Sequence, residues 1–214
     1  MIKTYNMKQE YTYWLALANA ENIYTRRKNE ILAKIHEDNS SLAHFFTEEN
    51  NWKSSFDLSQ DEIQSLLQEK EKLNNYSFIV EDLLEQGYQI IPIFSSDYPK
   101  TLKRNLKFSS PILLYAYGNI ELLNKESVAI VGSRNANDTS LNFTDNIASL
   151  SVSDGFVIVS GYAKGVDRQA LDSAIRNGGS SIIVLPQGIT TFGSRYKTLY
   201  KEIASGRVLV ISTF

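Results

Sequence analysis

The 214-residue chain is 43% hydrophobic and 21% charged, a composition that is ordinary for a globular protein with a sizeable core. It contains no cysteine, which excludes disulfides, cysteine-ligated zinc and thiol catalysis, and its apolar runs fall short of the roughly 18 residues that a membrane span needs. We therefore expect a cytoplasmic protein. The formal net charge of −2 argues against indiscriminate nucleic-acid binding, because such binding depends on neutralising phosphates.

The charge is distributed unevenly along the chain. Residues 1–126 contain 14 Lys and Arg against 18 Asp and Glu, whereas residues 127–214 contain 8 against 6. We therefore expect any anion site in the second part, although a difference this small decides nothing alone.

Up to about residue 75 the apolar residues recur at spacings of three and four, which predicts short helices joined by polar turns. Ser59 followed by Asp61 and Glu62 predicts a helix start, since a short polar side chain can accept from free backbone N–H groups. Both histidines, His36 and His44, lie in this part, so we expect no metal site and no histidine-centred triad elsewhere.

The pattern changes near residues 74–77, where we place the boundary between a small helical domain, residues 1–75, and a second domain, residues 76–214. A helix closed by Gly87 is followed by the apolar runs QIIPIF and PILLYAYG. Four further runs, VAIVG, FVIVSG, SIIVLP and RVLVIS, alternate with segments long enough for one helix each, at 138–152, 166–177 and 195–205.

The four runs are apolar at almost every position, which is typical of strands that are covered on both faces. The second domain is therefore predicted to be a Rossmann-like open parallel α/β sheet with helices on both faces.

Glycine-containing turns follow three consecutive predicted strands. In an open parallel sheet, ligands bind beyond the carboxyl ends of the strands, where helix N-termini and free N–H groups suit an anion. We therefore predict a phosphate-binding crevice there, with glycines allowing close approach, Arg134 as a bidentate partner and Lys164 as a second cation. The predicted binding residues are Gly132, Ser133, Arg134, Ser160, Gly161, Lys164, Gly165, Asp167, Gln187 and Gly188.

Other interpretations of these turns stay open. Glycine after a strand is often only a turn residue, and Asp167 could be an acid between two repelling cations, Arg134 and Lys164, or simply a helix cap. Neither turn reads G-x-G-x-x-G and no Walker lysine is present, so a redox or NTP-hydrolysing enzyme is not supported.

The segment TTFGSRYKTLYKEI interleaves Phe192, Tyr196 and Tyr200 with Arg195, Lys197 and Lys201. This composition suits base stacking along a nucleic-acid backbone, but the favoured alternative is an amphipathic helix with half-buried tyrosines.

The predicted strands and turns of the second domain resemble those of the bacterial DNA-processing protein A (DprA/Smf) family. The resemblance begins at IPIFSSDYPK, continues through VAIVGSR, VSGYAKGVDRQALDSAI and VLPQG to VLVISTF, and covers roughly residues 90–214. The order and spacing of these blocks are specific, and the helical N-terminal part is similar to the family's small SAM/HhH-like domain with weaker motif support.

The resemblance implies a cytosolic protein, not an enzyme and without a cofactor, that binds single-stranded DNA in a basic pocket of its Rossmann-like domain. It further implies a homodimer that helps to load the RecA recombinase during natural transformation. The alternatives are a small-nucleotide-binding or nucleotide-cleaving protein, and a purely structural role.

The sequence departs from the family pattern at several positions. Asn137, Thr139 and Ser140 stand where the family usually has Ser and Tyr-Gly, and Leu171 stands in place of its usual histidine. The sequence given stops within the family's Ser-Glu-Phe-Pro element, so the second domain is expected to be C-terminally truncated. We therefore expect a monomer with weakened DNA affinity or a concentration-dependent associating species.

Overall fold

A computed structural model describes residues 2–192 and 194–214. The helices are α1 (Ile2–Asn19), α2 (Thr25–Glu37), α3 (Leu42–Thr47), α4 (Asn51–Ser54), α5 (Gln60–Glu71), α6 (Leu73–Glu85), α7 (Lys100–Leu106), α8 (Asp138–Ser153), α9 (Val166–Arg176) and α10 (Tyr200–Ala204). The strands are β1 (Gln89–Pro92), β2 (Leu113–Gly118), β3 (Ser127–Ala129), β4 (Val157–Ser160), β5 (Ser181–Val184) and β6 (Val208–Ser212).

The chain forms two compact units. The first comprises Met1–Phe94 and Thr101–Leu113, and the second comprises Ser95–Lys100 and Leu114–Phe214. The boundary predicted near residue 75 falls within α6, and α6 packs against α1 in the first unit. The first unit therefore includes most of α6, the strand β1 and most of α7, all of which the sequence predicted to belong to the second domain.

The first unit is built around buried aromatic residues. Trp52 is fully buried, and its indole N–H donates to the Phe45 carbonyl oxygen at 2.8 Å. The rings of Phe45 and Trp52 lie 5.4 Å apart, which fixes α3 against α4.

Two helix ends in this unit agree with the sequence prediction. Ser59 caps α5: its hydroxyl accepts from the Glu62 N–H while the Glu62 carboxylate accepts from the Ser59 N–H. Gly87 follows α6 with φ of 83°, and the Tyr88 N–H returns to the Leu83 carbonyl oxygen at 2.9 Å.

The sheet of the second unit has the strand order β2-β6-β5-β4-β3. Strands β3 to β6 are parallel, with Ala129 opposite Val159 and Ile182 opposite Leu209. The fold class is confirmed, with one correction: β2 runs antiparallel to β6, so the sheet is mixed. The second unit thus places the carboxyl ends of four parallel strands along one edge of the sheet.

In the described part of the chain, no helix is long and apolar enough to cross a membrane.

Lys28 gives the first unit a testable pH dependence. Its side chain is buried, and Nζ donates to the Ala18 carbonyl oxygen at 2.5 Å near the end of α1. Burial lowers the pKa of Lys28 to about 8, although the charge of Glu69 acts in the opposite direction. Between pH 8 and 10 the folded protein therefore holds fewer protons at this position than the unfolded chain, whose lysine has a pKa of about 10.4.

The free energy of unfolding should consequently rise by about 2 kcal/mol from pH 8 to pH 10. Urea unfolding at four pH values would measure this rise, and Lys28→Met should remove it. Burial raises the pKa of Tyr115 to about 12, which lowers stability only as the pH passes about 10. An equal rise in the parent protein and in Lys28→Met would show that Lys28 is not its source.

Candidate nucleic-acid interface

The three predicted turns lie at one edge of the sheet. Because β3, β4 and β5 are parallel neighbours, the segments that follow them emerge at the same carboxyl edge. The structure therefore brings together the first two turns, which contain Arg134 and Lys164, and places the third turn beside them.

Asp167 connects the first two turns. Its Oδ1 accepts from the Gly132 N–H at 3.1 Å, and its Oδ2 accepts from the Gly161 N–H at 3.2 Å. The residue is only 8% exposed and sits in the first turn of α9, whose N-cap is Gly165. Asp167 is thus a bridge between two strand ends; Gly165, not Asp167, is the N-cap of α9, and among the described residues Asp167 forms no ion pair with Arg134 or Lys164 within 4.0 Å.

The glycines are required by internal packing. A Cβ atom on Gly132 would lie 2.9 Å from the Val166 side chain, and one on Gly161 would lie 2.9 Å from Asp167 Oδ2. The N–H groups of Gly132 and Gly161 already donate to Asp167, and contact of these glycines with a phosphate stays a prediction. The close approach that these glycines allow is between the two turns themselves.

Gly165 completes this packing. Its φ is 89°, and a Cβ atom there would lie 2.2 Å from the Ser133 carbonyl oxygen and 2.9 Å from the Arg134 Cα. The Val166 N–H donates to the same Ser133 oxygen at 3.1 Å. The backbone beside Lys164 therefore touches the backbone of Arg134, and the two cations emerge from contacting segments.

Arg134 and Lys164 are both exposed. Within the residues that the structure describes, neither forms an ion pair with a carboxylate within 4.0 Å. Two unpaired cations on contacting turns create a local positive potential, which an anion would relieve.

Other predicted residues of the first two turns have structural bonds. Ser160 Oγ donates to the Ile130 carbonyl oxygen at 2.8 Å and ties β4 to the end of β3. Ser133 Oγ accepts from the Asn135 N–H at 3.1 Å, which leaves the hydroxyl hydrogen available to a ligand. Asn137, one of the departures from the family pattern, is the N-cap of α8.

The third turn is anchored to the end of the chain described here. The Gln187 carbonyl oxygen accepts from Ser212 Oγ at 2.7 Å, and the Ile189 N–H donates to the Phe214 oxygen at 2.9 Å. Gly188 has a φ of −53°, which any residue can adopt. These contacts give Gln187 and Gly188 a structural role, and their contact with a ligand stays a prediction.

Tyr162 was not selected from the sequence, although it lies between Gly161 and Lys164. It has an unusual φ of 56°, its ring is 7% exposed, and the Arg168 guanidinium lies 4.1 Å from the ring centroid. Burial raises the pKa of the Tyr162 phenol, so this side chain is neutral at physiological pH. The sequence alone could not single out Tyr162, because its positive φ, unusual for a bulky residue, is visible only once the conformation of the turn is known.

The base-stacking interpretation of Phe192 and Tyr196 is wrong. The two rings stack on each other at 4.4 Å and are 2% and 8% exposed, so neither offers a free face to a base. Tyr200 remains partly exposed, and its hydroxyl donates to the Phe192 carbonyl oxygen at 3.4 Å. The side chains of Arg195 and Lys197 lie outside the described part of the structure.

In the ranges 2–192 and 194–214, no group of three or more His, Asp or Glu side chains is placed to hold a metal ion.

A family model described as DNA recombination-mediator protein A matches residues 89–214, which is more than half of the chain. The chain belongs to this family. The matched range includes all three turns and the strands that precede them. The DprA/Smf resemblance of the sequence is thereby confirmed.

Two curated relatives show the same relationship. The DNA processing protein DprA of Streptococcus pneumoniae is 30% identical over 145 residues, which cover 66% of this chain and 50% of that protein. The protein Smf of Synechocystis is 28% identical over 208 residues, covering 92% of this chain and 49% of that protein. The chain thus spans about half the length of the curated relatives it matches.

The X-ray structure of DNA processing protein A from Streptococcus pneumoniae superposes with a TM-score of 0.73 at 21% sequence identity. The match covers 95% of this chain and 67% of that one. This likeness supports the fold over nearly the whole chain.

Proposed function

We propose that this chain binds single-stranded DNA at the carboxyl edge of its sheet and acts as a recombination mediator. The observation that carries the proposal is the pair of exposed, unpaired cations, Arg134 and Lys164, on turns that Asp167 locks together. A nucleic-acid backbone presents successive phosphates, which two fixed cations can contact simultaneously.

The occupied backbone groups favour a polymer over a free mononucleotide. A mononucleotide site of the Rossmann type uses the N–H groups of the glycine turn to hold its phosphate. Here the N–H groups of Gly132 and Gly161 donate to Asp167, so side chains must supply the phosphate contacts. Binding rather than catalysis and loading of RecA are further parts of the proposal, together with the homodimer expected of the full-length family, and family membership supports them.

Arg134→Ala and Lys164→Ala should each weaken binding of labelled oligo-dT by about 1.5–3 kcal/mol, because each removes a charge-assisted phosphate contact. Both side chains are exposed, so the thermal unfolding of the variants should be nearly unchanged. Fluorescence anisotropy over a salt series should also show the log–log slope falling in magnitude by about 0.7 per lost contact, and duplex DNA should bind less well than oligo-dT.

Lys125→Ala is the matched control, because Lys125 is an exposed lysine at the amino end of β3, the opposite edge of the sheet. Its effect on affinity should be small. If Arg134→Ala binds as the parent does, or mononucleotides compete as well as oligo-dT, the proposed site is wrong.

A further inference from the structure

A second basic surface lies in the first unit, outside the edge described above. It is formed by Phe94, Lys103, Arg104, Lys107 and Phe108, which we call the α7 patch. The run Lys100–Phe108 contains four basic residues and no acidic residue, and α7 has no buried residue. A short helix without a fully buried side chain contributes little to the packing of the core.

The apolar side chains of the α7 patch are unusually exposed. Phe94 is 43% exposed and Phe108 is 47% exposed, and both line a groove of about 290 Å³ together with Ile93 and Ala33. The Phe94 ring has His36 stacked at 5.0 Å and Lys103 Nζ at 4.9 Å from its centroid. Phe108 therefore offers the more accessible ring face.

The backbone holds Phe108 in this exposed position. The buried Asn29 side chain donates to the Phe108 carbonyl oxygen at 2.9 Å and to the Ser110 carbonyl oxygen at 2.8 Å. Lys107 precedes Phe108 with a φ of 50°, a conformation that is uncommon for a lysine. The hydrogen bonds from Asn29 thus hold the turn on its buried side, and the Phe108 ring faces solvent.

The basic side chains of the patch have no neighbouring carboxylate, and that of Lys103 is also held by a hydrogen bond. Lys103 Nζ donates to the Ile93 carbonyl oxygen at 3.1 Å, at the rim of the groove. Among the residues that the structure describes, no carboxylate lies within 4.0 Å of Lys103, Arg104 or Lys107. The surface therefore combines an accessible aromatic ring, an apolar groove and three available positive charges.

We propose that the α7 patch is a second contact for single-stranded nucleic acid, with a base stacked on Phe108 and phosphates held by Arg104 and Lys107. Stacking on an aromatic ring beside basic side chains is how sequence-tolerant single-strand binding is achieved, and duplex bases are not free to stack in this way. The inference concerns the same ligand class as the proposed function and rests on it, but it uses a different surface.

The test is oligo-dT binding by the full chain. Phe108→Ala should weaken binding roughly 5- to 150-fold, the range expected for loss of one base–aromatic stack. Phe78→Ala is the matched control, because Phe78 is an exposed phenylalanine of the same unit on α6, and it should bind as the parent does. Arg104→Ala should reduce the salt slope by about 0.7, whereas Lys53→Ala, an exposed lysine on α4, should leave it unchanged.

An abasic oligonucleotide of equal length separates stacking from phosphate contact, since the Phe108→Ala effect should disappear with it. Unchanged oligo-dT affinity in Phe108→Ala overturns the inference, even if Arg134→Ala binds weakly as proposed. Weakened binding in Phe108→Ala with full binding in Arg134→Ala would instead show that the proposed sheet-edge site is wrong, and it would support the α7 patch as a contact. If the patch instead binds an acidic peptide, oligo-dT binding should be unchanged in both Phe108→Ala and Arg104→Ala, and the inference is wrong.

Discussion

Asp167→Ala should lower the free energy of unfolding by about 2–4 kcal/mol and also abolish most oligo-dT binding. The substitution leaves two backbone N–H groups, those of Gly132 and Gly161, without the charged acceptor that they share. Hydrogen bonds to a charged group are worth about 1.5–3 kcal/mol each, and donors left without a partner in a partly buried place add a smaller desolvation cost. Urea unfolding and anisotropy titration of the same preparation would measure both losses.

Asp167→Asn should have an intermediate effect on stability. An asparagine retains one carbonyl oxygen but turns an NH₂ group towards the other N–H, so it should keep one of the two bonds. We expect a loss of stability about half that of Asp167→Ala. Asp154→Ala provides the control, since Asp154 is an exposed acid just after α8, and it should change neither property appreciably. Full DNA affinity in Asp167→Ala would show that the bridge does not position Arg134 and Lys164.

Much of the second unit could be predicted because its strands are apolar at nearly every position and its helices are long enough to be periodic. The segments expected to be helical at 138–152 and 166–177 agree with α8 and α9. The antiparallel pairing of β2 with β6 could not be predicted, because PILLYAYG contains no signal for its direction.

The helix expected at 195–205 shows where local pattern fails. Residues Ser194–Leu199 form 3₁₀ turns with a kink at Tyr196, and only Tyr200–Ala204 is α-helical. Tyr196 packs on Phe192 and lies 5.7 Å from the Tyr162 ring, so tertiary burial of aromatic rings overrides the helical periodicity.

The composition of the candidate site was predictable, but its internal bonding was not. Gly132, Gly161 and Asp167 are distant in sequence, and their contact depends on β3 and β4 being parallel neighbours. The α7 patch was missed for a different reason. Averaging charge over residues 1–126 gave a net acidic segment and concealed the acid-free basic run at 100–108.

Gly165→Ala should be the most damaging single methyl group that can be added near the candidate site. At a φ of 89° the new Cβ would lie 2.2 Å from the Ser133 oxygen and 2.9 Å from the Arg134 Cα, both of them backbone atoms that cannot rotate away. The first turn must therefore move, which displaces Arg134 and strains the Val166 bond to Ser133. We expect a loss of more than about 3 kcal/mol in the free energy of unfolding, together with weakened DNA binding.

Gly155→Ala is the control for this contact. Gly155 also has a positive φ, 86°, but a Cβ atom there would meet nothing within 4 Å. Its substitution should cost only about 1–2 kcal/mol, the strain of a left-handed alanine, and should leave oligo-dT affinity unchanged. Denaturant unfolding of the two variants side by side gives, as the difference between them, the clash at Gly165 together with the added strain of its conformation, φ 89° and ψ −132°, which alanine adopts less readily than the left-handed one. Equal destabilisation of Gly155→Ala and Gly165→Ala would mean that the clash at Gly165 costs no free energy of unfolding. The first turn could then move away from the second without loss. In that case the two cations would not be held in a fixed relation, and the geometric basis of the proposed DNA contact would be lost.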